Sequence, residues 1–166
     1  MSLGFLYFIY FYEKSNFTAY ECLHYFKIGG ERVMSNFRFA HTMVRVKDLE
    51  KSLDFYCRIL GMEVLRKTEY PSGRFTNTFV GYGPEDTHAT LELTYNWDQK
   101  LPYIQGDSWG HIALDVPDVY CACEELSAAG ANVVRPAGPM KNGSRVIAFV
   151  EDPDGHKVEL VAPRVD

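Results

Sequence analysis

Two stretches decide the fold: FAHTMVRVKDLEKSLDFYCRILGMEV, residues 39–64, and WGHIALDVPDVYCACEELSAAGANVV, residues 109–134. They align almost without adjustment. His41 and His111 each open an alternating apolar run, Val46 and Val116 stand five residues later, and Asp48 and Asp118 two beyond that. Gly61 follows His41 by 20 residues, and Gly130 follows His111 by 19. The halves close on TLELTY (90–95) and KVELVA (157–162). Glu92 therefore lies 51 residues after His41, and Glu159 48 after His111. An internal repeat of this kind means one supersecondary unit used twice.

The unit can be read from its pattern. HTMVRV and HIALDV alternate with period two and carry β-branched residues, which predicts half-buried strands. Asp48 and Asp118 suit helix N-caps, because a carboxylate can accept from the free backbone N–H groups behind it. Leu49, Leu53, Tyr56 and Leu60 then recur at helical spacing, as do Val119, Ala122, Leu126 and Ala129. Gly61 and Gly130 fall where a left-handed C-cap belongs. Three strands follow in each half: 62–70, 74–83 and 88–95, then 131–137, 144–152 and 156–162. Turns are expected at 71–73, 83–86, 141–143 and 152–155. The last of these, DPDG, reads as a tight β-turn; a calcium loop would need more oxygen ligands at alternating positions. The expected fold class is α+β, with two tandem β-α-β-β-β modules over 37–100 and 108–162.

Composition excludes several classes. The 166 residues are 46% hydrophobic and 23% charged, an ordinary globular balance. A net charge of −5 leaves no basic excess for phosphate backbones, so no nucleic-acid partner is expected. The four cysteines, 22, 57, 121 and 123, form neither a disulfide framework nor a CxxC pair, which suits a reducing cytosolic setting. Residues 1–33 stand apart, holding 10 of the 24 aromatics. Their apolar run, MSLGFLYFIYFY, is cut by Glu13 and Lys14, short of the ~20 residues that span a bilayer. It also lacks a clear signal-peptide start and cleavage site. The segment reads as an extension outside the folded domain, ahead of a conventional cytosolic beginning at Met34, and no membrane partner is expected.

His41, Glu92, His111 and Glu159 carry the chemistry. Singly, each has a plain reading: a core histidine, or a glutamate facing solvent between leucines. The repeat changes that. If the first and last strands of each module lie side by side, each His meets its Glu on one face, and a pseudo-twofold brings two such pairs together. Two carboxylates on apolar strands are costly unless compensated, and a divalent cation compensates them directly. Two imidazoles and two carboxylates leave nickel, cobalt, iron, manganese and zinc open. His24 lies in the extension, while His88 and His156 stand beside turns and read as exposed.

These residues, with HTMVRVKDLEKSLDFY, LGMEVLRK, FVGYGPE, LELTYNW, GHIAL and VIAFVEDPDGHKVEL in order, resemble the vicinal oxygen chelate superfamily and, within it, bacterial-type glyoxalase I. The likeness covers Phe37 to about Val161 and says nothing of residues 1–33. It implies a lyase that isomerises the hemithioacetal of methylglyoxal and glutathione to S-lactoylglutathione through an enediolate. It implies His41, Glu92, His111 and Glu159 as metal ligands. His at the first ligand position implies Ni2+ or Co2+, with Zn2+ the alternative. It implies a curved mixed sheet around a metal site, and a homodimer in which His41 and Glu92 of one chain meet His111 and Glu159 of the other, while the cysteine pattern points to a cytoplasmic setting. It implies Glu159 as the base with Glu92 mainly a ligand, and Arg45, Asn96 and Lys141 as contacts to glutathione. Other readings of the same fold are an epimerase, an extradiol dioxygenase, a thiol transferase or a non-catalytic binding module. Dioxygenases typically use two His and one Glu on iron, and sequestering relatives generally lack the quartet.

Overall fold

The computed structural model describes residues 37–163. The extension inferred for residues 1–33 lies outside the described residues. The first module runs β1 (His41–Val46), α1 (Leu49–Leu53), a π-helical turn (Asp54–Ile59), β2 (Glu63–Tyr70), β3 (Phe75–Gly81) and β4 (Thr90–Asn96). The second runs β5 (His111–Asp115), α2 (Val119–Ala128), β6 (Asn132–Pro139), β7 (Val146–Glu151) and β8 (Lys157–Val161). Each module makes its own four-stranded mixed sheet, in keeping with the two tandem β-α-β-β-β modules expected. The strand orders match: β1-β4-β3-β2 and β5-β8-β7-β6. The first strand of each module pairs in parallel with the last, and the other pairings are antiparallel.

The local signals act as their chemistry dictates. Asp48 accepts from the Lys51 N–H at 3.2 Å, and Asp118 from the Cys121 N–H at 2.9 Å. Gly61 and Gly130 take φ of +73° and +96°, the left-handed conformation that ends each helix. The first helix departs from expectation after one turn. There the backbone widens, with the Leu60 N–H donating to Phe55 O at 2.9 Å and the Met62 N–H to Tyr56 O at 3.0 Å. Such π turns are rare and usually local. This one carries two adjacent rings, Phe55 and Tyr56, into the core, packed edge to face with centroids 5.0 Å apart.

The larger core cluster joins the modules. Val44, Val46, Leu49, Phe55, Tyr56, Leu91 and Leu93 of the first pack with Val150 and Val158 of the second. A smaller cluster, Val119, Cys123, Ala148 and Leu160, seats α2 on its own sheet. Polar links reinforce the joint at the DPDG turn. The fully buried Tyr56 hydroxyl donates to Asp152 Oδ2 at 2.9 Å. Burial first, and the Asp152 carboxylate second, push the Tyr56 phenol far above the ordinary tyrosine range, so it stays a donor. Asp152 also accepts from the His156 N–H at 2.7 Å and the Asp154 N–H at 2.9 Å, with His156 Nδ1 at 2.9 Å. Asp154 in turn accepts from the Lys47 N–H of the first module at 3.1 Å. The turn is thus also a clamp between modules. His156 is buried, against the exposed position its neighbouring turn suggested, because its ring and its backbone N–H both close on the same carboxylate.

Loss of one buried donor removes a net hydrogen bond and leaves an acceptor short of a partner. Tyr56→Phe is therefore expected to cost ~1–2 kcal/mol in urea unfolding. Asp152→Ala strands several donors at once and is expected to cost about 3 kcal/mol or more. Wild-type midpoints in both variants would show that the clamp holds nothing.

Candidate functional site

Parallel pairing of first and last strands sets each His beside its Glu. In the first sheet Met43 stands opposite Glu92, so His41 and Glu92 share a face one diagonal step apart. His41 Nε2 lies 3.1 Å from Glu92 Oε2. In the second sheet Ala113 stands opposite Glu159, and His111 Nε2 lies 3.2 Å from Glu159 Oε2. Both imidazole side chains are 43% exposed, whereas the glutamates are 12% and 15% exposed. Leu91 and Leu93 face the core and Glu92 the other side, yet Glu92 is buried too. β4 is an inner strand, and its polar face is closed over by side chains of β1 and β3.

The two faces match beyond the pairs that the sequence offered. Phe79 stands opposite Glu92, and Phe149 opposite Glu159. Each ring meets its histidine edge to face, with centroids 5.4 Å and 5.2 Å apart. Register shifts at Val64/Arg66 and at Val133/Arg135 place Arg66 opposite Phe79 and Arg135 opposite Phe149. Bulges re-aim side chains in this way. Arg66 lies 3.8 Å over the Phe79 ring, while Arg135 donates to Ile147 O at 2.6 Å. A signal for the phenylalanines was present: each stands 38 residues after its histidine. It went unread because a Phe in an apolar strand looks like core.

The pairs differ in one respect. Glu92 Oε1 accepts from Asn77 Nδ2 at 2.6 Å and from Thr94 Oγ1 at 3.1 Å. Asn77 and Thr94 are cross-strand neighbours one step along the face. At the same step in the second sheet stand Ile147 and Val161, which offer no donor to Glu159.

Arg45 and Asn96 lie on the His41–Glu92 face. Arg45 is exposed opposite Thr94, about 13 Å along β1 from His41 at 3.3 Å per residue. Asn96 donates to the Tyr103 hydroxyl at 2.8 Å. Lys141 is exposed in the turn joining β6 to β7. Among the described residues no group of three or more His, Cys, Asp or Glu side chains converges. Within the described residues the four side chains stand as two separate pairs of one imidazole and one carboxylate, and not as the single cluster that the pseudo-twofold suggested.

Each pair suits a divalent cation. Two ligands at about 2.1 Å from one ion and at right angles stand ~3.0 Å apart, close to the spacing of both pairs. The buried carboxylates supply the charge, and the donor set lacks sulfur, which suits borderline-to-hard ions.

A family model, the Glyoxalase/Bleomycin resistance protein/Dioxygenase superfamily, matches residues 38–160. A lactoylglutathione lyase of Neisseria meningitidis is 59% identical over 124 residues, 75% of this chain and 89% of the relative. The crystal structure of glyoxalase I from Zea mays superposes with a TM-score of 0.72 at 42% identity over 78% of this chain. This chain spans only 45% of the maize chain. The trypanothione-dependent glyoxalase I of Leishmania major gives a TM-score of 0.67 at 39% identity, over 76% of this chain and 87% of that one.

Proposed function

The chain belongs to the Glyoxalase/Bleomycin resistance protein/Dioxygenase superfamily, and we propose that it is a lactoylglutathione lyase that isomerises the methylglyoxal–glutathione hemithioacetal to S-lactoylglutathione. It is an enzyme, and the reaction detoxifies methylglyoxal. The observation that carries this reading is the doubled His–Glu pair on matched sheet faces, in a chain 59% identical to a bacterial enzyme of that name. The working parts are the modules over 37–100 and 108–162, with residues 1–33 outside them.

In this reading His41 and Glu92 of one chain and His111 and Glu159 of a second hold one divalent cation, so the enzyme is a homodimer with shared sites. What supports this is that the described residues of one chain hold the four side chains as two separate His–Glu pairs, with no cluster of three or more. Nickel or cobalt is the proposed metal, with zinc the alternative; the donor set alone suits several divalent ions, and His41 at the first ligand position resembles the family branch that prefers nickel or cobalt. When bound, the cation supplies a Lewis acid that stabilises charge on the two neighbouring oxygens of the substrate. The chain's own residues do the rest. The Glu159 carboxylate takes the carbon-bound proton and returns it to the adjacent carbon, while Glu92 holds its place as a ligand. Arg45 and Asn96, with Lys141 further off, bind the glutathione part, and this fixes the reacting carbons against the carboxylate. A cytoplasmic setting fits a co-substrate that is abundant and reduced there.

The reading is tested by stripping the protein with chelator, adding nickel, cobalt, manganese or zinc singly, and following S-lactoylglutathione formation. Nickel or cobalt is expected to restore most activity; best recovery with zinc overturns the metal assignment, and none with any metal overturns the reaction. Glu159→Gln is expected to lower kcat at least ~100-fold while the protein keeps its metal. Full turnover in that variant would remove Glu159 as the base. Shared sites have their own check. A chain carrying His41→Ala and Glu92→Gln is refolded with one carrying His111→Ala and Glu159→Gln. The mixed dimer is expected to regain activity that neither parent has, since one of its two sites is intact. Sites built within single chains would give none.

A further inference from the structure

We propose that Asn77, together with Thr94, is a positioning residue that tethers Glu92 and so divides the work between two carboxylates the repeat makes nearly equivalent. The inference rests on the reading above and goes beyond it, since nothing in that reading assigns Asn77 or Thr94 a role. Pseudo-symmetry poses the question: both glutamates stand on inner strands, opposite a Phe and beside a His, and either could in principle serve as base.

The difference lies one step along the face. Asn77 Nδ2 donates to Glu92 Oε1 at 2.6 Å, a short, charge-assisted contact. The Thr94 hydroxyl stands 3.1 Å from the same oxygen and 3.3 Å from Asn77 Oδ1. That second contact orients the amide, with oxygen toward the hydroxyl and nitrogen toward the carboxylate. Glu92 is therefore held through Oε1 while Oε2 stays turned toward His41. Rotation of the carboxylate away from His41 would break the part-buried Asn77 bond and the Thr94 contact, whose single hydroxyl proton is shared between Glu92 Oε1 and Asn77 Oδ1. Ile147 and Val161 stand at the corresponding positions beside Glu159, so among the described residues no comparable donor holds it. A carboxylate that must pick up a proton and set it down on the next carbon needs that freedom, and a permanent ligand does not. Partners of this outer kind typically change metal affinity 10–100-fold when removed.

Two measurements test the tether apart from the reaction. Asn77→Leu keeps the size and removes the amide. Nickel affinity of the stripped protein, by competition with a chromophoric chelator, is expected to fall about 10-fold, while the metal-free protein stays folded at the assay temperature and melts only the few degrees lower that loss of one hydrogen bond brings. Asn77→Ser, which retains a donor, is expected to recover part of that loss. Affinity within twofold of wild type in Asn77→Leu, or equal losses in the Leu and Ser variants, overturns the tether. The reciprocal variant, Ile147→Asn with Val161→Thr, installs the same pair beside Glu159. It is expected to keep its metal and its KM while kcat drops at least ~10-fold. Unchanged kcat in that metal-loaded variant overturns the division of roles, and if it does not fold, the two Asn77 variants decide. Wild-type protein without lyase activity, but with the Asn77 effect on nickel intact, would separate failure of the proposed reaction from failure of the tether.

Discussion

A carboxylate on a strand face closed over by its neighbours is the constraint on which the rest depends. Glu92 sits on an inner strand between β1 and β3, and Glu159 between β5 and β7. Neither reaches water freely, and neither has a lysine or arginine paired with it among the described ion pairs. What each has is an imidazole nitrogen at hydrogen-bond distance. The parallel pairing of first and last strands is what brings that nitrogen there, and the crossover through β2 and β3 is what makes the pairing parallel. Topology and site are one arrangement, present twice.

Much of this was legible from spacing. His41, Glu92, His111 and Glu159 stood out because two halves of the chain repeat one order of chemistry-bearing residues. The caps Asp48 and Asp118 and the glycines at 61 and 130 could be read because each answers a local need of the backbone. What escaped depends on contacts distant in sequence. The π turn at 54–59 is stabilised where Tyr56 reaches Asp152, 96 residues away, and no periodicity announces that. His156 looked exposed because turns usually are, but the Asp152 carboxylate draws it inward. Asn77, within RFTNTF, looks like the solvent side of an alternating strand. Its value appears only when the register sets it beside Thr94 and one residue from Glu92 on the same face.

The repeat also shows how a symmetric frame acquires unequal parts. Imidazole, carboxylate, phenylalanine and bulge-placed arginine occur in both halves at matched register. Divergence is concentrated one step away, where Asn77 and Thr94 face Ile147 and Val161 across the pseudo-symmetry. Arg66 and Arg135 have parted similarly, one resting on an aromatic ring and the other bonded to backbone carbonyls. The donors stay alike while their surroundings specialise.

The clamp at residues 152–155 bears on how such a duplicated chain holds together. Doubled units often behave as beads that melt one by one. Here the interior of the first half is completed by Val150 and Val158 of the second, and the second half's last hairpin is anchored by Tyr56 and Lys47 of the first. The first half's interior is finished only by the second, so duplication at the level of architecture is expected to coexist with cooperative unfolding of the two halves together.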